Sequence, residues 1–227
     1  MLDVHEPKRP LQSARDFARH IVTVTLGLVL ALGLEKTVEW RQHVQLRKEA
    51  DANIASELRD NKAECDRTLK EVPRERRVLL DLRKLLDARK AGTKIGKTDL
   101  SLSFWTGSPR DASWQTANAT GALGYMAYAH VKDYSAAYTL QADLVRLQQE
   151  LLSSILRMFA ANDLVDDLDH GGSIDAMTDD QVAATRAAVQ DVLMHLLALE
   201  QIGAELEKQY AVALKLPAEP EKPLASK

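Results

Sequence analysis

Residues 21–34 read IVTVTLGLVLALGL, fourteen positions without a charge. Arg19 and His20 precede the stretch, Glu35 and Lys36 follow it, and Trp40 stands just beyond. Fourteen helical residues rise about 21 Å at ~1.5 Å each, short of the ~30 Å hydrocarbon core of a bilayer. The flanks lengthen it. Phe17 and Ala18 continue the apolar surface upstream, and Val38 and Trp40 continue it downstream. Arg19 and Lys36 can snorkel toward headgroups, and Trp40 sits where an interfacial aromatic belongs. Arg19, Lys36 and Trp40 are therefore the expected membrane-interface residues, on an anchor helix over residues 13–40.

A cleaved signal peptide and a soluble core helix compete with that reading. Lys8, Arg9, Arg15 and Arg19 form a basic leader, and Ala31-Leu32-Gly33 has the small-x-small pattern of a cleavage site. Against cleavage, the helical pattern continues through Gly33 into Glu35–Glu57 without a turn former. Gly27 and Gly33 are six apart and do not make the GxxxG spacing of close helix pairs. The positive-inside count gives no orientation: four Lys/Arg precede the stretch, and Lys36, Arg41, Arg47 and Lys48 follow it.

The rest of the 227-residue chain favours helix. Hydrophobic residues make up 45% and charged residues 28%, while aromatics are only 5% and strand-type runs are few. A net charge of −3 gives no electrostatic ground for nucleic acid as a partner. One cysteine, Cys65, excludes an internal disulfide and a thiolate-rich metal site. It is expected on a partly buried helix face, and pairing between chains is the other reading.

Residues 1–12 read as a flexible tail. A helix is predicted from Ala14 to Val72, starting behind Ser13 and carrying a charged stalk over Glu35–Asp51. Its packing face is Ile54, Leu58, Cys65, Leu69 and Val72. Pro73 is expected to break or kink it. A second amphipathic piece, Arg74–Arg89, carries Val78, Leu79, Leu82, Leu85 and Leu86, with Ala91-Gly92 closing it. Thr93–Arg110 is the long irregular stretch, expected to run lid-like over the bundle with Leu100, Leu102, Phe104 and Trp105. A short helix follows from Asp111 or Ser113, then a long one from Ala129 to Leu168. The latter's apolar line is Ala137, Leu140, Leu144, Leu147, Leu151 and Met158, with Ile155 alongside. Thr178 and Gln181 make a capping box for the last helix. Its heptad is Val182, Val189, Val192, Leu196, Leu199, Leu206 and Tyr210, with Thr185 and Gly203 in the gaps and Leu193 and Leu197 widening the stripe. Residues 217–227 read as a disordered tail. The expectation is an all-α fold, with a transmembrane helix continuing into a stalk and then an antiparallel bundle with long helices. The stalk and bundle occupy 41–216.

Sites are sparse. From Asp167 the acidic loop partly fits a calcium loop, with Asp167, Asp169 and Asp175 as ligands, but Thr178 stands where a bidentate Glu is needed. A polar helix–helix turn is the simpler account. His43 follows Glu39 by four and His195 follows Asp191 by four, yet no Glu-x-x-His occurs, so a di-metal bundle site is not expected. There is no Gly-x-Ser-x-Gly and no phosphate-loop spacing. Arg74, Arg76 and Arg77 alternate with Glu71 and Glu75 as a solvated face. Ser113–Met126, SWQTANATGALGYM, mixes a large aromatic with amides and small residues. Trp114, Asn118, Tyr134 and Tyr138 are its candidate ligand-binding residues. The alternative is that Trp114 plugs the bundle.

Three segments together resemble an uncharacterised family of small bacterial single-pass membrane proteins: LGLVLALGLEKTVEWRQ at Leu26–Gln42, ELRDN at Glu57–Asn61, and Ser113–Met126. The family's "E…EW" is represented by Glu35, Glu39 and Trp40, and its "W…A…G" element by Trp114, Ala117 and Gly121. The resemblance covers residues 15–160 and implies a retained inner-membrane span with the larger domain on the periplasmic side. It implies no activity. The chain is thus expected to be non-enzymatic and cofactor-free, acting through protein–protein interaction as a scaffold or accessory subunit. Its expected partners are the bilayer and another copy or another membrane protein. A periplasmic ligand-sensing bundle without its own output domain is the second expectation.

Overall fold

The computed structural model describes residues 14–96, 107–160 and 174–216. The expected tails at 1–12 and 217–227, the Leu100–Trp105 part of the lid, and residues 161–168 of the long helix lie outside them. The described residues are helical, with no strand among them. Helix α1 spans Ala14–Lys90, α2 Ala112–Ala119, α3 Tyr128–Ala160 and α4 Asp179–Ala213, with 3-10 turns at Ala122–Tyr125 and Ile174–Ala176. Contacts divide the chain into two units, Met1–Glu49 and Ala50–Lys227.

In the first unit every side chain from Phe17 to Val38 is exposed. Two helices, α1 and α4, are long and apolar enough to cross a membrane. Part of the apolar window of α4 is buried in the core of the second unit, whereas none of the apolar window of α1 is buried.

The second unit is built on heptads. On α1, Leu58, Cys65, Val72, Leu79 and Leu86 recur every seven residues, and all are buried. So does a second line: Ile54, Asn61, Thr68, Glu75 and Leu82. On α3 the buried lines are Tyr134, Gln141, Gln148, Ile155 and Ala137, Leu144, Leu151, Met158. On α4 they are Val182, Val189, Leu196, Gly203, Tyr210 and Thr185, Val192, Leu199, Leu206, Ala213. This is coiled-coil-like packing of three helices.

Side-chain pairs set the directions. Asp87–Arg186, Arg83–Gln190 and Arg76–Glu200 join α1 to α4, so the two are antiparallel. Arg157–Asp191 and Tyr210–Gln141 make α4 antiparallel to α3. Asp51–Tyr134 and Asn61–Gln141 make α1 and α3 parallel. The chain must therefore return along α1 before α3 begins. Gly107 lies against Glu64 and Thr68, Arg110 bonds Asn61, and Ser113 bonds Glu57, so this strap descends antiparallel to α1.

Three expectations need correction. Pro73 does not end the helix, which continues unbroken to Lys90. Proline inside a helix costs roughly 3 kcal/mol. Here its ring is exposed, while Val72, Glu75 and Leu79 on either side are buried and hold the segment helical. Leu140 and Leu147 are only half-buried, because α3 turns Gln141 and Gln148 inward instead. Leu197 is exposed, although Leu193 is buried as expected.

The ends were better signalled. Gly92 adopts φ 86°, with bonds from Thr93 N to Ala88 O and from Gly92 N to Arg89 O: a Schellman closure of α1. The Thr178–Gln181 capping box opens α4. Gly203 allows close approach, since a Cβ there would lie 2.4 Å from Leu69 Cδ2. Gly203→Ala gains up to about 1 kcal/mol of helix propensity but overpacks by ~1–3 kcal/mol. A net loss of about 1 kcal/mol in urea unfolding is expected. The sign should reverse when the same change is made in a Leu69→Ala chain. Equal effects in both backgrounds would count against this contact.

A buried polar seam as the candidate functional site

The second heptad line of α1 turns polar at Asn61 and Thr68, and α3 answers with Gln141 and Gln148. Polar residues at core positions require partners. Asn61 finds them in the strap backbone: Arg110 N donates to Asn61 Oδ1 at 2.9 Å, and Asn61 Nδ2 donates to Arg110 O at 2.6 Å. Asn61 Nδ2 also lies 3.3 Å from Gln141 Oε1, which accepts from the Tyr210 hydroxyl at 3.0 Å. Four elements are thus linked around the backbone of Arg110. Above this layer Gly107 and Pro109, with Cys65, Leu144 and Tyr210, enclose a cavity of about 10 Å³. That is the space of a single water.

One turn below, Glu57 is 7% exposed. Its Oε1 accepts from the Tyr138 hydroxyl at 2.7 Å and its Oε2 from Ser113 N at 2.9 Å. Ser113 is the second residue of α2, whose own cap, Asp111, makes no capping bond to the backbone. A carboxylate from α1 therefore does the capping, at the positive end of the helix dipole. Trp114, half-buried, stacks on Tyr138 with ring centroids 5.3 Å apart.

The expected ligand-binding residues are partly assembled by this arrangement. Trp114 and Tyr138 meet, and Tyr134 binds Asp51 at 2.8 Å, while Asn118 is exposed. Both tyrosine hydroxyls are directed at protein carboxylates. Burial, reinforced by Asp51 for Tyr134 and by Glu57 for Tyr138, pushes both phenols well above their usual range. A surface groove along α3, lined by Val131, Ser135 and Thr139, includes none of the four. Cys65 is buried, and desolvation pushes its thiol up to about 12, so it is a poor nucleophile in the folded state.

Of the expected calcium ligands, Asp167 and Asp169 lie outside the described residues. Asp175 holds the chain instead, its two oxygens accepting from Ile95 N and Gly96 N, each at 2.9 Å. Those bonds hold its carboxyl below the usual range. His195 Nδ1–H donates to Asp191 O, 2.9 Å away. Its two ring nitrogens lie 3.8 Å from Asp191 and 3.9 Å from Glu150, on opposite sides of the ring, so they share no metal centre. Among the described residues no group of three or more His, Cys, Asp or Glu is arranged to hold a metal. In the first unit, Arg19 and Trp40 are exposed, and Lys36 pairs with Glu39 at 2.7 Å.

Sequence reasoning had flagged Glu57–Asn61 and Ser113–Met126 separately, but not that the two segments touch. The signal was present in the seven-residue spacing of Asn61, Thr68 and Glu75, and of Gln141 and Gln148. Comparison with known protein families, with curated proteins and with solved structures finds no match.

Proposed function

We propose that the chain is a membrane-anchored interaction protein, with residues 13–40 as the retained anchor and the second unit as the domain that meets other proteins. The observation that carries this is the wholly exposed, uncharged Ile21–Leu34 segment lying within one uninterrupted helix with core residues Ile54–Leu86. An apolar surface of that size on a soluble monomer would be an aggregation liability, and a bilayer covers it. The interaction reading is supported by the way core polar groups are engaged within the domain, Glu57 with Tyr138 and the strap, and Asn61 with the strap. Placement in a bacterial inner membrane with a periplasmic domain rests on the family resemblance alone.

The full chain is expected to stay in the membrane pellet after alkaline carbonate extraction, with an N-terminus upstream of Ile21. Arginine near the middle of a span costs about 2.5–3.5 kcal/mol. Leu28→Arg combined with Leu30→Arg should therefore release a measurable soluble fraction. A wild-type product that begins after Gly33 and is fully soluble would sink the proposal.

A further inference from the structure

We propose that the second unit touches the bilayer itself: the end at which α1 enters it is a lipid-contacting surface, with Tyr125 and Tyr128 seated in the headgroup layer. The chain has five tyrosines. Tyr134, Tyr138 and Tyr210 are buried, and their hydroxyls bond Asp51, Glu57 and Gln141. Tyr125 and Tyr128 are exposed, Tyr128 at 83%. A ring so exposed adds little to the core. Among the described residues the other exposed large aromatics are Phe17 and Trp40, both in the first unit and flanking the apolar stretch. An aromatic with an apolar body and a polar tip favours the boundary between hydrocarbon and water.

Both tyrosines lie at the end of the second unit where α1 enters. Tyr134 bonds Asp51, one residue after that unit begins at Ala50. Helix α3 runs parallel to α1, and Tyr128 precedes Tyr134 by six residues (134 − 128), so it overhangs Asp51 by about 9 Å. Tyr125 closes the 3-10 turn just before it. Gln209 bonds the carbonyl of Asp133 and brings the end of α4 to the same place, where Val212 and Leu216 are exposed. Eleven residues of α1 separate Asp51 from Trp40 (51 − 40), about 16 Å of helix. The overhang and a headgroup layer about 5–8 Å deep cover that length.

Charge is not what draws this end to lipid. Lys132 and Lys215 are exposed here, and Asp51 and Asp133 offset them. Asp51 already accepts from the Tyr134 hydroxyl and lies 4.0 Å from His130. The contact is therefore aromatic and apolar in kind. It takes a zwitterionic headgroup as readily as an anionic one, and salt does not screen it.

The contact rests on the membrane-anchored reading and adds a second hold on the bilayer to it. The test places the full chain in phosphatidylcholine nanodiscs, whose two faces are both open to solutes. A thiol-reactive fluorophore is attached at Ala129→Cys, beside Tyr128, or at Asp180→Cys, at the opposite end of the second unit; both positions are exposed. Cys65 is buried with its thiol pushed up to about 12, so it does not compete for label. A nitroxide on the lipid headgroup should quench the label at 129 and spare the label at 180. If the contact is made about nine-tenths of the time, iodide should quench position 129 about tenfold less than position 180. Tyr125→Ser with Tyr128→Ser should remove both effects without releasing the chain from the disc, and raised salt should leave both in place. Equal iodide quenching at 129 and 180, in a chain that the disc retains, overturns the contact and leaves the anchor standing. Lipid quenching that survives the double serine change, or that salt abolishes, overturns the part given to the tyrosines. A chain that does not enter the disc removes anchor and contact together.

Discussion

Replacing Glu57 with alanine is expected to cost roughly 2–5 kcal/mol of stability in urea unfolding, through a lower midpoint at an unchanged slope. Two buried donors lose their acceptor at once, the Tyr138 hydroxyl and the Ser113 N–H, and an unsatisfied buried donor costs about 1–3 kcal/mol. The α2 helix loses its cap in the same change. Trp114, which stacks on Tyr138, should report this locally, its emission moving to the red before the main transition. Glu57→Gln gives the contrast. Its amide oxygen can still accept from Ser113, and its NH₂ can donate to Tyr138 once that hydroxyl turns to accept. The loss should therefore fall to about 1 kcal/mol. A Glu57→Ala protein within 0.5 kcal/mol of wild type, the range of an ordinary surface change, would refute the capping account.

What the sequence disclosed and what it hid follow from one physical distinction. Apolar residues at heptad spacing declare a core face by themselves, and so Leu58–Cys65–Val72 and the α4 stripe, Leu197 apart, were read correctly. Polar residues on the same face declare nothing, because their burial depends on a partner far along the chain. Asn61 is buried only because Arg110, 49 positions later, offers it a peptide group. Gln141 and Gln148 displaced Leu140 and Leu147 from the core for the same reason. Of the break or kink expected at Pro73, the break is absent because a local cost of ~3 kcal/mol was set against tertiary packing on both sides of it. Asp175, a candidate calcium ligand, accepts from the N–H groups of Ile95 and Gly96, partners that its own stretch of sequence does not mark. Trp114 and Tyr138, both candidate ligand-binding residues, stack on each other, a contact that composition alone does not predict. Nor does it predict the carboxylate partner Glu57, 81 positions before Tyr138 on α1. The apolar anchor segment needed no partner to be legible, which is why it could be read first.

The pH profile supplies the second large effect, and its sign follows from acids buried in neutral form. Tyr134, Tyr138 and Tyr210 all lie above the usual phenol range, with desolvation as the leading cause in each. Cys65 is raised from 9.0 to about 12 for the same reason. A raised acid stays protonated in the fold while the unfolded chain ionises, so the unfolded state binds fewer protons. Stability is then fully present below the unfolded values and falls as pH rises through them. The decline should begin near pH 9 with Cys65 and steepen above pH 10 as the tyrosines join. Each group contributes at most about 1.4 kcal/mol per pH unit until its folded value is reached. Urea midpoints measured between pH 7 and 11 should therefore bend downward above pH 9, and Cys65→Ser should move the onset toward pH 10. Tyr210→Phe, which removes the most deeply buried phenol, should flatten the upper limb despite lowering stability at pH 7. A midpoint constant to pH 11 would mean that these groups ionise in place, and that the seam is wetter than its packing implies.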